Sequence, residues 1–348
     1  MTIRIYPTFD AYFYSSFLGG LRELFGPHNV RYSCEGFPAL DRRCLAFIVE
    51  PTGLKVALDQ LDVPKLNERA LQWCDVYSKS NLHPEMVPPA QSAKIHLTGP
   101  CFPVRFCGPV AAVSNACRNF ALRPPNGWKV KKIREHFANW WRQSRYRLPE
   151  SAYSPEPCQP GYVFFSSTIW KTEPECNQYR TRFMEACRTL PGLRFEGGFM
   201  PRPANDVPGF EAYTVTTKYS HAQYVAKTKQ STVAFNTPSV FGCNPWRTAE
   251  FMAFGKAIIS TPLLRPLPTP LVHGENVHFV DGSLESIREA VGMLYKDADY
   301  RHRLERGTRE YFLKYLRARS ILERILKHPS QGNADTSATE GIRDTQTG

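Results

Sequence analysis

Residues 232–262 read TVAFNTPSVFGCNPWRTAEFMAFGKAIISTP, and the order of apolar, turn-forming and helical residues in this stretch indicates the fold class. Its apolar start, 232–235, predicts a strand; the turn-rich residues that follow predict a loop, then a short helix over 247–254 and a second strand over 257–260. A strand, a helix and another strand form the repeating unit of a parallel α/β sheet. Ligands bind such open sheets beyond the carboxyl ends of the strands, where loops enter helices. The stretch therefore predicts a ligand site around residues 236–250.

The same alternation extends in both directions from this stretch. Short apolar runs alternate with helical segments from Ile3 to Leu97, and the pattern restarts at Tyr162 after a region rich in proline and basic residues. We therefore predict an α/β protein with two Rossmann-like, doubly wound domains that face a cleft. The predicted divisions are an acceptor-side domain over 1–150, a hinge over 149–160, a nucleotide-binding domain over 151–327 and a disordered tail over 328–348. The charge-rich helical region 299–327 is expected to pack across both domains.

Charge and composition indicate the class of binding partner and the cellular compartment of the protein. The formal net charge is +12, which favours an anionic partner. No apolar run approaches the roughly 20 residues that cross a bilayer, and the first residues lack the pattern of a signal peptide. The ten cysteines contain no C-x-x-C pair, so reduced thiols are expected. These features together predict a cytoplasmic protein without a metal site.

The start of the helix after Pro245 is the best candidate for an anion site. Free backbone N–H groups and the helix dipole favour a diphosphate there, and the guanidinium of Arg247 adds a charged donor. The carboxylate of Glu250, one turn further, is able to accept hydrogen bonds from ribose hydroxyls. The alternative is an ordinary helix start, with Asn244 as the cap and Glu250 complementing the dipole.

The run from Asn236 to Pro262 resembles the donor-binding segment of GT-B glycosyltransferases, most closely bacterial enzymes of the retaining "glycosyltransferases group 1" type. Glu250 matches the family's second glutamate, whose implied role is to bind the donor ribose. Gly242 stands where the family has its first glutamate, eight residues earlier, which leaves the stereochemical outcome open. The resemblance covers residues 160–327, and it implies a nucleotide-sugar donor and no metal ion. We predict that the donor contacts Thr168, Asn236, Thr237, Gly242, Trp246, Arg247 and Glu250.

The catalytic residues follow from the charge that the reaction must handle. A departing nucleoside diphosphate gains negative charge, and Arg247, followed by Lys171, is the predicted stabilising cation. The general base is expected at a strand end of the first domain. Asp59 is preferred there, with Asp10 and Asp62 as alternatives that could instead cap helices. The histidines His83, His96 and His221 are expected to be structural.

Two acidic or basic segments have more than one interpretation. Asp297-Ala298-Asp299 looks like a D-x-D metal motif, but a helix cap explains it better because it lies between two predicted helices. The segment 118–147 carries nine Lys/Arg residues against Glu135 alone and interleaves them with aromatic residues. This composition suits either contact with an anionic membrane surface or an ordinary basic helix. Binding to anionic liposomes that survived charge reversal at Lys131, Lys132 and Arg134 would remove the membrane hypothesis.

The leading function is transfer of a sugar, most simply a hexose, from a nucleotide donor to a glycan or lipid-linked acceptor, as in polysaccharide biosynthesis. The main alternative is a catalytically degenerate GT-B-like protein that binds a nucleotide or carbohydrate without turnover. Nucleic-acid binding is disfavoured because the charge comes without a recognisable binding motif. A dinucleotide-dependent oxidoreductase is disfavoured because no G-x-G-x-x-G follows a predicted strand.

Overall fold

The computed structural model describes residues 1–122, 130–202 and 206–327. The predicted tail, 328–348, lies outside these residues, as do Trp128 and Lys129 of the basic segment. Six strands form the first sheet in the order β2-β1-β3-β4-β5-β6. They are β1 (Thr2–Ile5), β2 (Val30–Tyr32), β3 (Leu45–Glu50), β4 (Leu54–Asp59), β5 (Val76–Lys79) and β6 (Ile95–Leu97).

The expectation of a wholly parallel first sheet is wrong at one strand. β3 pairs antiparallel with both β1 and β4, whereas the other neighbours in this sheet pair in parallel. The cause is the connection from β3 to β4, residues 51–53, which is far too short for a parallel crossover of a dozen or more residues. Gly53, with φ +74°, provides the left-handed backbone of this turn.

The second sheet is parallel in every ladder that the structure describes. Its strands are β7 (Tyr162–Thr168), β8 (Arg194–Met200), β9 (Ala234–Asn236), β10 (Ile258–Ser260) and β11 (His278–Phe279). β7 pairs with β8, and β9, β10 and β11 pair in sequence. The N–H of Thr232 donates to the carbonyl of Tyr162 at 2.7 Å, so β7 lies beside β9. The two ladders, β8-β7 and β9-β10-β11, therefore lie edge to edge in the second half.

Helices cover both sheets, and two of them lie in the proline-rich and basic region that precedes the predicted hinge over 149–160. The α-helices are α1 (Ser15–Phe25), α2 (Glu68–Trp73), α3 (Pro109–Leu122), α4 (Val130–Tyr146), α5 (Pro174–Thr189), α6 (His221–Gln230), α7 (Trp246–Ala253), α8 (Leu284–Lys296), α9 (Ala298–Tyr311) and α10 (Ala318–Lys327). Asp297 caps α9 by accepting from the N–H of Tyr300 at 2.9 Å, which confirms the capping interpretation of the D-x-D sequence.

Separate apolar cores lie against the two sheets, and α10 belongs to the first. Ile321, Leu322 and Ile325 of α10 are buried with Phe17 and Leu21 of α1. The last helix therefore returns to the amino-terminal half, as the expected packing of region 299–327 across both domains requires. The α/β class with two Rossmann-like sheets is confirmed. The division near residue 150 stays a prediction, and α10 lies on the other side of it in space.

Candidate functional site

The carboxyl ends of β7 and β9 lie side by side in the second sheet. The chain leaves β7 through α5 toward β8 on one side, and it reaches β9 through α6 on the other side. This is the reversal of strand order at which open α/β sheets bind ligands. The loop 237–245, which leads from β9 into α7, begins at this point.

Polar side chains at the end of β9 are buried and hold α7 in place. Nδ2 of Asn236 donates to Oγ of Ser260 at 3.0 Å, and Oγ1 of Thr248 donates to Oδ1 of Asn236 at 2.8 Å. Thr237 accepts from Oγ1 of Thr261 at 3.0 Å. Asn236 therefore positions α7 through Thr248, whereas Thr237 contacts Thr261 after β10. The predicted contact of Asn236 and Thr237 with a donor stays a prediction.

The first turn of α7 has no side-chain cap among the described residues. Pro245 is the N-cap residue and has no hydroxyl or carboxylate to offer. Asn244, the alternative cap, instead donates from Nδ2 to the carbonyl of Arg265 at 3.1 Å. Because the leading amides of a helix have no intrahelical partners, α7 presents a partial positive charge at this end.

Glu250 is fully buried one turn inside α7. Its Oε2 accepts from the hydroxyl of Tyr224 at 3.2 Å, and its Oε1 lies 3.9 Å from Nη1 of Arg147. Oε1 has no hydrogen-bond partner within the described residues. Burial raises the pKa of Glu250, and the nearby Arg147 and Arg247 oppose this shift. A buried carboxylate oxygen without a donor is costly, so Glu250 has an open position for a hydrogen-bond donor.

Arg147 follows α4 and crosses from the first half to the second. Its Nη2 donates to the hydroxyl of Tyr12, its Nη1 lies 3.3 Å from both ring nitrogens of His221, and its guanidinium lies 5.1 Å from the ring centroid of Trp246. In the sequence, Arg147 is one of the nine basic residues of the segment 118–147. Nothing in the local sequence distinguishes it from the exposed Arg145, so no signal available there could have found it.

The imidazole of His221 gives this cluster a pH dependence. Its Nε2 lies 2.7 Å from the hydroxyl of Tyr153, and burial together with the charge of Arg147 lowers the pKa of His221 from 6.5 to about 4. Between these two values the unfolded chain binds a proton that the folded chain does not. The contribution of His221 to stability is therefore complete above pH 6.5 and is lost as the pH falls toward 4.

We expect His221→Gln to flatten the loss of stability between pH 6.5 and 4, because glutamine keeps a polar partner for Tyr153 and does not titrate. The measurement is the free energy of unfolding against pH for both proteins. Glu250, whose pKa is raised, acts in the opposite direction and is common to both. His302→Gln, at an exposed histidine of α9, is the control. Equal slopes for the wild type and His221→Gln would contradict the expectation.

Arg247 and Trp246 begin α7 and face different surroundings. The guanidinium of Arg247 is half-buried 5.5 Å from the ring centroid of Tyr224, and it forms no ion pair in the described ranges. The ring of Trp246 packs on Phe13 at 5.9 Å between centroids. Trp246 is thus part of the contact between the halves, while Arg247 keeps its charge available.

The loop before α7 lies at the junction of the two sheets. The N–H of Asn244 donates to Oδ1 of Asn81 at 2.9 Å, and Sγ of Cys243 donates to the carbonyl of Asp62 at 3.0 Å. Asp62 and Asn81 follow β4 and β5, so the strand-end loops of both sheets meet here. The start of α7 therefore lies where the two halves meet, at the predicted cleft. Residues of the first half contact the loop before α7 and the ring of Trp246.

The other residues predicted at the donor site lie at the end of β7 and in the loops that follow β7 and β9. Thr168 is the exposed last residue of β7, and the exposed Lys171 pairs with Asp206 at 3.4 Å. Gly242 has φ +69°, and a Cβ there would lie 3.1 Å from Leu264. Both the backbone and this contact disfavour a glutamate at residue 242, which gives the missing glutamate a physical reason.

The predicted general base is engaged in the first half. Asp59 is 1% exposed; it accepts from the hydroxyl of Tyr77 at 2.5 Å and the N–H of Leu61 at 3.0 Å, and it pairs with Lys79 at 3.1 Å. These contacts engage both carboxylate oxygens of Asp59 and hold the end of β4, so the role of Asp59 as a base stays a prediction. Asp10 accepts from the N–H groups of Tyr12 and Phe13 in the turn before α1, whereas α1 itself has Tyr14 as its N-cap residue and no side-chain cap.

Comparisons with known proteins place these features in context. No family model matches the chain, and no curated protein matches it either. Solved structures that align include the C-terminal domain of the glycosyl transferase group 1 family protein LpcC from Francisella tularensis, with 17% identity over 48% of this chain and 97% of that one and a TM-score of 0.35. A glycosyltransferase from Rickettsia africae ESF-5 aligns with 10% identity over 77% and 67% of the chains and a TM-score of 0.42.

UDP-GlcNAc 2-epimerase from Neisseria meningitidis, bound to UDP-GlcNAc, aligns with 11% identity over 75% of this chain and 63% of its own, with a TM-score of 0.36. This chain thus spans somewhat less than two thirds of the epimerase. All three TM-scores are below 0.5, so the likeness concerns the course of the chain, and the chemistry must come from this chain's own residues. Within the described residues, no helix is long and apolar enough to cross a membrane.

Proposed function

We propose that the chain is a glycosyltransferase that moves a sugar from a nucleotide-sugar donor to a glycan or lipid-linked acceptor. The observation that carries this proposal is the buried Oε1 of Glu250, which lacks a hydrogen-bond donor one turn behind the uncapped start of α7. Together they offer an acceptor for ribose hydroxyls and a positive end for a diphosphate, in the order in which a nucleoside diphosphate presents these groups.

The proposed chemistry uses charges of the chain itself. As the bond to the sugar breaks, negative charge grows on the departing diphosphate. The amides of α7 and the guanidinium of Arg247 stabilise that charge because they are fixed before the reaction begins. Lys171, in the loop after β7, is the second proposed cation. A positive helix end and one or two cations are sufficient to hold the leaving group in place.

Donor entry requires the junction to open. Glu250 is buried under Arg147 and Tyr224, and Trp246 is covered by Phe13. We propose that the two halves part to admit the nucleotide and close again, so that water is excluded during transfer. The contact of Arg147 with Glu250 belongs to the closed form without donor, and ribose hydroxyls replace it.

The same proposal places the acceptor at an anionic membrane surface. Lys131, Lys132 and Arg134 are exposed on α4, where they are available to an anionic membrane surface on the cytoplasmic side. A hexose donor and an acceptor for polysaccharide synthesis fit this arrangement, with the protein as a peripheral partner of the membrane.

Thermal-shift measurements with UDP, GDP, ADP, CMP and dTDP sugars test the donor site. We expect one nucleotide class to raise the Tm, and we expect Glu250→Gln to remove most of that shift, because an amide replaces the carboxylate that accepts the ribose hydroxyls. Loss of such charged hydrogen bonds corresponds to roughly a 10- to 100-fold weaker Kd.

Glu196→Gln is the matched control for this test. Glu196 is a carboxylate of the same half that also accepts from tyrosines, Tyr162 and Tyr219, and pairs with Lys227. If Glu250→Gln and the wild type shift equally, the donor site is elsewhere. Release of nucleoside diphosphate in the presence of an acceptor separates the enzyme from the degenerate binding protein, which would show the shift without turnover.

A further inference from the structure

A cavity of about 500 Å³ opens on the first half, beside the start of α1. One wall is the loop after β1, with Asp10, Tyr12 and Phe13; the other is α4, and Arg42 lies between them. Two of these residues also lie at the edge of the proposed donor site. The hydroxyl of Tyr12 accepts a hydrogen bond from Arg147, and the ring of Phe13 packs on the ring of Trp246. The cavity and the start of α7 are therefore adjacent and share the Tyr12–Phe13 wall.

The wall on α4 is one face of that helix. Glu135, Asn139, Arg142 and Tyr146 line the cavity at intervals of four, three and four residues, which is the spacing that stacks side chains along a helix. His136 and Trp140, on the opposite side, are buried in the protein. The basic helix thus presents to the cavity a face of mixed character: one acid, one amide, one cation and one aromatic ring.

Most of the charges in the cavity are already paired. Arg42 and Glu135 form an ion pair at 2.6 Å. Asp10 accepts from two backbone N–H groups, and its Oδ2 accepts from Nδ2 of Asn139 at 2.7 Å. Arg142 differs, because in the described residues it forms no ion pair and makes only a long contact, 3.4 Å, with Oδ1 of Asn139. The cavity therefore has one guanidinium available to an anion.

The cavity also offers flat apolar surfaces. The rings of Phe13 and Tyr146 are exposed, although burying an aromatic ring is usually favourable. A sugar has an apolar face that packs on such rings and hydroxyls that exchange hydrogen bonds with carboxylates and amides. A planar guanidinium binds a carboxylate or a phosphate through two parallel hydrogen bonds.

We propose that this cavity binds an acidic sugar, bearing a carboxylate or a phosphate, as the acceptor of the reaction. The ring of the sugar lies against Phe13 and Tyr146, its hydroxyls contact Asn139 and Glu135, and its anionic group pairs with Arg142. The role as acceptor rests on the proposed function, whereas the binding of an acidic sugar rests on the cavity alone. The Tyr12–Phe13 wall brings the bound sugar next to the donor.

Ligand-observed NMR on the intact chain, without nucleotide, tests the proposal with glucuronic acid, glucose 6-phosphate and glucose. We expect at least one of the acidic sugars to bind at least fivefold more tightly than glucose, and the comparison of the two distinguishes a carboxylate from a phosphate. Arg142→Ala should weaken the acidic sugar by about tenfold or more. Tyr146→Ala should weaken every sugar that binds.

Arg145→Ala is the matched control, since Arg145 is exposed on the same helix and its guanidinium lies over Trp141, outside the cavity. Equal losses in Arg142→Ala and Arg145→Ala, or no preference for acidic sugars, would overturn the proposal. If no acidic sugar binds while a nucleotide sugar still raises the Tm, the cavity proposal fails and the proposed function stands. If acidic sugars bind through Arg142 but no nucleotide sugar does, the acceptor role fails together with the proposed function.

Discussion

Replacing Arg247 by alanine is expected to lower kcat by about 10²- to 10³-fold and to change the apparent affinity for the donor much less. The reason is that a guanidinium fixed beside the helix start acts mainly on charge that develops as the diphosphate departs, and one such preorganised donor contributes a few kcal/mol. Arg247 is half-buried, has no carboxylate partner in the described residues and lies over Tyr224, so the substitution should leave the fold intact.

The measurement is steady-state release of nucleoside diphosphate, with kcat and KM determined separately. Arg303→Ala is the matched control because Arg303 lies over Tyr300 in the same half, 5.1 Å from the ring centroid, and belongs to α9 rather than α7. A variant that keeps wild-type kcat would show that the leaving group is stabilised elsewhere. A rise in KM alone would make Arg247 a binding residue without a role in the chemical step.

Replacing Leu322 by alanine is expected to lower the free energy of unfolding by about 2–5 kcal/mol. Leu322 is fully buried on α10, in the core that α10 shares with α1. At this contact a Cβ on Gly20 would lie 3.0 Å from Leu322 and 3.1 Å from the backbone of Arg319. Because the two helices already touch so closely, they have little freedom to fill the cavity that alanine would leave.

Denaturant unfolding followed by tryptophan fluorescence gives this number, since Trp140 is buried in the same core. Leu313→Ala is the control, because Leu313 is exposed in the π-helical segment Phe312–Leu316 between α9 and α10, so its truncation should lower the free energy of unfolding only slightly. Similar small effects at both positions would mean that α10 is only loosely attached to the first half.

The parts of the fold that the sequence predicts well are those in which local pattern and burial agree. The predicted strands 232–235 and 257–260 agree within two residues with β9 (Ala234–Asn236) and β10 (Ile258–Ser260), because a buried parallel strand needs a continuous apolar run. The position of α7 followed from its neighbouring strands, which fix where a crossover helix begins.

The predictions from sequence fail where contacts between residues far apart in the sequence determine the structure. The direction of β3 depends on a three-residue turn that the apolar pattern does not reveal. The proline-rich region before the predicted hinge contains α3 and α4, because proline is tolerated at the first position of a helix, as at Pro109. The pairing of Asp59 with Lys79 and the arrival of Arg147 beside Glu250 join residues 20 and 103 positions apart in the sequence, so no local motif contains them.

The return of α10 to the first half means that the polypeptide passes between the halves twice, once near residue 150 and again at residues 316–318. Two connections restrict the relative motion of the halves more than one connection would. We therefore expect the halves to bend about the line that joins the two connections, without free rotation about a single linker. An expressed fragment that stopped at residue 150 would leave the surface of α1 that receives α10 open to water. A fragment that began at residue 151 would expose the apolar face of α10, which packs against α1 in the whole chain.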